Sequence, residues 1–231
     1  ITASAGLDAG IFSVDSQFTC TGSFTVGGRP IKCWRYYRPH GLQTLTQTLE
    51  NSCNPAFISM GLTMGKETLR KYIEAFGFTD ETLVDLPGEA TPVKDVTYHS
   101  LENMGISQVS SSSFGQTFQV SAIQMITGVS AIANGGNLMQ PYIVGAMLDE
   151  DGNTVFEAEP IVKRSVISET TSKEVLKMME KVVSEGTGKN AYVPGFHVAG
   201  KTGTSEKLTV DGEYIASFVG CAPADDPKIA V

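Results

Sequence analysis

Apolar residues recur at a helical period through the first two thirds of the chain and at a strand period toward its end. From Gly41 to Glu50, Leu42, Leu45 and Leu49 form one stripe, which predicts a short helix. Asn51 to Asn54 breaks that pattern, and Pro55 restarts a second helix in its first turn, where its missing N–H does no harm. Lys66 to Phe76 is amphipathic and stops at Gly77. Val120 to Asn134 is strongly apolar and ends at Gly135-Gly136, which predicts a central buried helix. Thr171 to Glu185 sets Val175, Leu176, Met179, Val182 and Val183 at helical spacing. Val193 to Thr204 and Tyr214 to Cys221 read as neighbouring strands joined by a turn around Asp211-Gly212. Near the start, Gly27-Gly28 between alternating residues predicts a hairpin that faces Cys20 toward Cys33. Leu86-Pro87-Gly88-Glu89 reads as a turn, and Ser110 to Ser113 as a flexible loop before the next helix. Helices first and antiparallel strands last predict an α/β sandwich, a helical half packed on a sheet.

Composition narrows the function without naming it. A chain of 231 residues with 41% apolar and 18% charged residues can bury a sizeable core. It has no apolar run of about 18 residues, so no segment of it reads as a membrane span. The formal net charge of −8 argues against nucleic acid, since no basic cluster is large enough to neutralise phosphates.

Candidate chemistry lies in two short motifs, Ser52-Cys53-Asn54 and Lys201-Thr202-Gly203-Thr204. Acyl transfer from a peptide needs an activated hydroxyl, a base, oxyanion donors and a grip on the substrate carboxylate. Lys201 supplies a positive charge on a strand, and Gly203 lets substrate backbone come close. Thr202 and Thr204, two apart, present hydroxyls on one face. Ser52 and Asn54, also two apart, offer a hydroxyl to relay a proton and a carboxamide to hold an amide. Either motif alone is common by chance; both in this order, each in its predicted context, are not. The two match S-x-N and K-T-G, which accompany an S-x-x-K nucleophile in penicillin-binding enzymes. No convincing Ser-x-x-Lys is present, and Ser4 is a poor substitute because Leu7 stands three residues after it.

The chain resembles the transpeptidase domain of class B penicillin-binding proteins, most of all the sporulation or elongation type of Gram-positive bacteria. Ser113-Phe114-Gly115-Gln116 with Val120 to Met125, Asp85 to Ala90 and Phe218 to Pro223 carry the resemblance along essentially the whole length. It implies a penicillin-binding protein/serine β-lactamase-like fold, an antiparallel sheet against a helical subdomain, spanning 1–231 and incomplete at both ends. It implies an enzyme, a peptidoglycan D,D-transpeptidase acting through an acyl-enzyme and inhibited by β-lactams. Ser52 would then shuttle the proton, Asn54 hold the substrate amide and Lys201 orient Ser52. Thr202 and Thr204 would bind the carboxylate of the stem peptide or of a β-lactam, and the Thr204 N–H would give half of the oxyanion hole. The family places Ser-x-x-Lys just before a segment like Ile1 to Ala5, so the nucleophile is expected upstream, and Lys228 to Val231 starts a further strand whose closing helix is not included. The resemblance also implies an extracytoplasmic site, an N-terminal membrane anchor beyond this sequence and a membrane glycosyltransferase partner. A serine β-lactamase and a non-catalytic peptidoglycan-binding sensor are the competing functions. Cys53 stands where one large β-lactamase class has Asp, and no Glu is evidently placed to activate a deacylating water.

The chemistry requires no cofactor, but the cysteines raise a structural one. Cys20, Cys33, Cys53 and Cys221 allow three pairings, and a Cys20–Cys33 disulfide would be worth roughly 3 kcal/mol. A site outside the membrane would permit it. Alternatively, Cys20-x12-Cys33-x6-His40 supplies two soft ligands and an imidazole for zinc, with Cys53 or Asp15 completing a tetrahedron. Zinc is favoured because His40-Gly41 directly precedes the helix expected to lead to Ser52, where a metal would brace the Ser52-Cys53-Asn54 motif. Buried free thiols are the plainer reading; His99 and His197 lack comparable neighbours and are read as structural.

Overall fold

The computed structural model describes residues 1–206 and 213–231; the turn expected around Asp211-Gly212 lies outside the described residues. The chain opens with α1 (Thr2–Asp8), then β1 (Gln17–Cys20), β2 (Ser23–Val26), β3 (Arg29–Lys32) and β4 (Gly41–Thr44). Helices α2 (Leu45–Glu50), α3 (Asn54–Ala75), α4 (Ile106–Ser113) and α5 (Ala122–Ala133) follow. Next come β5 (Asn137–Gln140), β6 (Ala146–Leu148), β7 (Thr154–Glu157), β8 (Ile161–Ser165) and α6 (Glu169–Ser184). A 3₁₀ turn at Lys189–Ala191 leads to β9 (Ala199–Glu206), β10 (Tyr214–Ala222) and β11 (Ile229–Ala230). These last three form an antiparallel sheet in the order β11-β10-β9, with Lys201 opposite Val219 and Gly203 opposite Ser217.

Local sequence explains the boundaries. Pro55 sits in the first turn of α3, and the helix is interrupted at Gly65, whose φ of 77° and ψ of 166° are not helical. The two helices expected on either side of Met64 are therefore present and abut at a glycine kink. Ser121 caps α5 through a reciprocal pair with Gln124, and Gly135 and Gly136 end it at φ 83° and 99°. A Cβ on Gly136 would fall 1.9 Å from the Ile167 carbonyl oxygen, so only glycine permits this turn.

Four expectations need correction. Gly41–Thr44 is a strand paired with β1, not the start of a helix, and Leu42 is 63% exposed. The reason is a second capping box, Thr44 with Gln47, which starts α2 at Leu45. The Gly27-Gly28 hairpin exists, both glycines having positive φ as a tight two-residue turn demands. However, it pairs Ser23 with Lys32, while Cys20 ends β1 opposite Gly41. The cysteines thus stand on different ribbons. Ser110 to Ser113 is helical, and the Ser110 and Ser111 hydroxyls are satisfied within the helix by bonding back to the Ile106 and Ser107 carbonyls. Small size is also required there, since a Cβ on Gly61 of α3 would lie 2.4 Å from Ser113 Cβ. Lastly, strand β9 begins at Ala199 rather than Val193, because Pro194-Gly195 turns the chain and Phe196 N–H bonds to Val193 O.

Two apolar clusters hold these elements together. The larger unites Leu69, Phe76, Phe78, Ile132, Val175, Leu176 and Ala199 between α3, α5, α6 and the sheet. The smaller unites Phe18, Leu45, Leu49, Met60 and Val182 with Cys20, Cys33 and Cys53. The loop joining α2 to α3 is therefore pinned between the cysteine-lined cluster and the sheet edge.

Candidate active site

The α2–α3 loop brings Ser52 to β9. Ser52 adopts φ 48°, in the left-handed region that non-glycine residues rarely occupy. Its Oγ accepts a hydrogen bond from Lys201 Nζ at 2.9 Å. The same ammonium donates to the Thr202 carbonyl at 2.9 Å and lies 3.5 Å from Thr202 Oγ1. Burial pulls the Lys201 pKa down to about 8. Asn54 is the first residue of α3, half-buried, and its carboxamide has no hydrogen-bond partner among the described residues. Thr204 is exposed on β9, and β9 is an edge strand of its sheet. A Cβ on Gly203 would meet Ser217 Oγ at 2.5 Å, so glycine keeps this stretch of strand flat against β10. Ser52 and Lys201 are thus brought into contact, with Asn54 two residues further along the chain and Thr202, Gly203 and Thr204 running along the open edge of the sheet. Ser4 is fully buried within α1 and its hydroxyl has no partner among the described residues, so it has no access to a substrate.

Two side chains missed in the sequence support this geometry. Thr187, just after α6, donates its N–H to the Glu50 carbonyl at 2.9 Å and meets Thr202 Oγ1 through its own hydroxyl at 3.4 Å. It thereby ties the end of α2 to the strand that carries Lys201. Gly186 makes room for that contact, for a Cβ there would stand 2.7 Å from the Glu50 carbonyl oxygen. Trp34 donates its indole N–H to the Asn51 carbonyl at 2.7 Å, beside Ser52. The Gly-Thr-Gly run at 186–188 and the lone tryptophan were the only available signals.

Behind Ser52 lies a cluster of Cys20, Cys33, His40 and Cys53, whose ligand atoms all lie within 4.8 Å of one another. The Cys33 Sγ to His40 Nδ1 separation is 3.4 Å, and all three cysteines are buried free thiols. Tetrahedral zinc with Zn–S of about 2.3 Å and Zn–N of about 2.0 Å needs edges of about 3.5–3.8 Å; the Cys33–His40 edge is already near that length, and the widest separations would close by about 1 Å on the ion, so the donor set fits it in kind and number. Burial opposes ionisation of Cys20, but the His40 and Gly22 N–H groups and the adjoining thiols outweigh it and hold its pKa below the usual thiol value. Burial pushes Cys53 up to about 12 and also raises Cys33. Cys53, not Asp15, is the fourth member, and Asp15 is exposed outside the cluster. Cys221 stands apart with its pKa raised to about 11 by burial. His99 and His197 are also outside the cluster; His197 Nδ1 instead meets Glu180 Oε1 at 2.8 Å.

Known proteins place this arrangement. The family model for the penicillin-binding protein transpeptidase domain matches residues 1–231. Stage V sporulation protein D of Bacillus subtilis is 45% identical over 93% of this chain and 33% of its own length. Penicillin-binding protein PbpB of Mycobacterium tuberculosis is 30% identical over 100% of this chain and 35% of its own. The chain therefore spans about a third of the length of these curated relatives. Among solved structures, the D,D-transpeptidase domain of a peptidoglycan glycosyltransferase from Eggerthella lenta superposes with a TM-score of 0.89 at 31% identity, covering 99% of this chain and 57% of that one. Penicillin-binding protein 3 of Mycobacterium tuberculosis, complexed with aztreonam, gives 0.88 at 30%, covering 99% and 53%. No helix of the described residues is long and apolar enough to cross a membrane. The α/β fold, with helices against an antiparallel sheet, is the one these domains share, and the chain belongs to the penicillin-binding protein transpeptidase domain family.

Proposed function

We propose that this chain is the greater part of the domain of a peptidoglycan D,D-transpeptidase, acylated by stem peptides and by β-lactams on a serine preceding Ile1. The observation that carries the reading is the 2.9 Å contact of Lys201 Nζ with Ser52 Oγ, two residues before an Asn54 carboxamide that has no hydrogen-bond partner among the described residues. In this reading a serine hydroxyl upstream attacks the donor carbonyl, and its proton passes to the departing amine through Ser52. The C–N bond breaks, an ester forms, and an acceptor amine then displaces the serine. Lys201 holds Ser52 and adds positive charge, Asn54 accepts and donates to the substrate amide, and Thr202 and Thr204 bind the carboxylate. The Thr204 N–H faces the developing oxyanion. By the same reading the domain works outside the cell membrane, anchored by preceding chain, beside a membrane glycosyltransferase. The 45% identity to stage V sporulation protein D favours a sporulation role.

The test is intact mass of the longer chain after incubation with a penicillin. A stable single adduct is the expected result. An adduct that hydrolyses within minutes would make the protein a β-lactamase, and no adduct at all would make it a peptidoglycan-binding sensor.

Zinc in the cluster of Cys20, Cys33, His40 and Cys53 is the second part of the reading, carried by donor atoms gathered within 4.8 Å. It would brace the Ser52 loop from behind through Cys53 and take no part in acyl transfer. Native mass should exceed denatured mass by about 63 Da, with the metal lost on unfolding. A denatured mass about 2 Da low, restored by reductant, would replace the metal with a disulfide.

A further inference from the structure

The segment between Cys33 and His40 is unlike the rest of the molecule. In a chain of net charge −8, residues 16–49 carry Arg29, Lys32, Arg35 and Arg38 and no acid. None of these four is in an ion pair among the described residues, and Arg29, Lys32 and Arg38 are exposed. Interleaved with them are three large aromatics open to solvent: Trp34 at 53%, Tyr36 at 55% and Tyr37 at 73%. Folding does not need this exposure, because aromatic rings are costly to leave in water. The rings and cations are nevertheless organised. Tyr36 and Tyr37 meet edge-to-face at 5.8 Å, Lys32 Nζ lies 4.8 Å above Tyr36, and the Arg35 guanidinium 5.9 Å above Trp34. The platform is anchored at both ends by Cys33 and His40, and its tryptophan is one hydrogen bond from the residue preceding Ser52.

We propose that this aromatic and basic loop is the docking surface for the acceptor, a peptidoglycan strand whose sugar rings and stem-peptide carboxylates it matches. The inference rests on the transpeptidase reading, because it assigns the second substrate of that same site. Pyranose rings present C–H faces that pack on the electron-rich faces of Trp and Tyr, while free carboxylates meet unpaired guanidinium groups. The Ser52 and Lys201 side of the loop handles the donor, so acceptor recognition is separable from acylation. An anionic membrane surface is the other occupant with aromatic and basic taste, but the hydrogen bond to Asn51 places the platform at the reaction site.

The experiment compares the full-length protein with its Tyr37→Ala/Arg38→Gln variant, both side chains being exposed. The probes are soluble, uncross-linked peptidoglycan strands with free stem peptides, vesicles of phosphatidylglycerol, and a penicillin. The expected result is strand binding weakened about tenfold or more, with penicillin acylation and melting temperature unchanged. The charge-only variant Arg29→Gln/Arg38→Gln should weaken strand binding less and flatten its salt dependence. Strand binding unchanged in both variants would overturn the proposal, as would loss of vesicle binding alone. Penicillin acylation falling in step with strand binding would also overturn it, showing that the loop acts through Ser52. Failure of the wild-type protein to take up penicillin would instead sink the transpeptidase reading itself.

Discussion

Ser52 holds a left-handed backbone at φ 48° while its hydroxyl takes a bond from Lys201. An L-residue in that conformation is strained by about 1–2 kcal/mol, and glycine is not. Ser52→Gly and Ser52→Ala delete the same hydroxyl, so they should slow penicillin acylation alike, by about 100-fold or more if Ser52 relays the proton. Their stabilities should differ, with the glycine variant about 1 kcal/mol more stable in urea melts; equal midpoints would mean the turn relaxes. Lys201 gives the companion pH test. Burial holds its pKa near 8, so the positive charge beside the Ser52 hydroxyl is complete below that value and lost above it. Acylation efficiency of the free enzyme should fall on the alkaline side with an apparent pKa near 8. In Lys201→Arg the charge persists across this range, so whatever activity survives should lack that alkaline fall.

At the scale of elements, the contact between the loop after α6 and the end of α2 sets the distance between the two motifs. Gly186→Ala would press a methyl onto the Glu50 backbone, which cannot swing aside as a side chain would. It should destabilise the fold by about 1–3 kcal/mol and slow acylation about tenfold, because Thr187 would no longer hold Thr202 in place. Activity unchanged in a destabilised variant would show that the clamp is structural only. This contact was not legible in the sequence, since Gly186 and Glu50 are brought together only by tertiary packing. The helices around Pro55, Lys66 and Val120 were legible, because their apolar period is long and their ends carry Pro, Ser or Gly. The strand at Gly41–Thr44 was misread through Leu42, although Thr44 and Gln47 already carried the capping signal that moves the helix start. The serine run was misread because serine favours loops on average, whereas here tight packing on Gly61 selects small residues. The cysteine cluster was half legible: spacing gave Cys20, Cys33 and His40, but choosing Cys53 over Asp15 needed the tertiary packing that buries Cys53 against Cys20 and Cys33.

Across the whole molecule, Asp8 at the end of α1 fastens two distant helices. Its carboxylate accepts from the Tyr72 hydroxyl of α3 at 2.7 Å, from the Ser168 N–H at 2.7 Å and from Thr171 Oγ1 at 3.2 Å. Ser168 caps α6, so the charge also sits at that helix's positive end. Burial alone would raise the Asp8 pKa, but these hydrogen bonds prevail and hold it below the ordinary 3.8. The native state therefore binds this proton less readily than the unfolded chain. The stabilisation is fully present above pH 3.8 and disappears as pH falls through the lower native value. Asp8→Asn keeps the size but loses the charge and one acceptor oxygen. It should lower stability by on the order of 1–3 kcal/mol at pH 7 and by progressively less toward pH 3, so that the two acid-unfolding curves converge. Parallel curves with a constant gap would assign the loss to packing rather than charge. Because α1, α3 and α6 are the same helices that position the Ser52 loop and the clamp on β9, penicillin acylation should lose its upper temperature range in this variant while keeping its rate at low temperature.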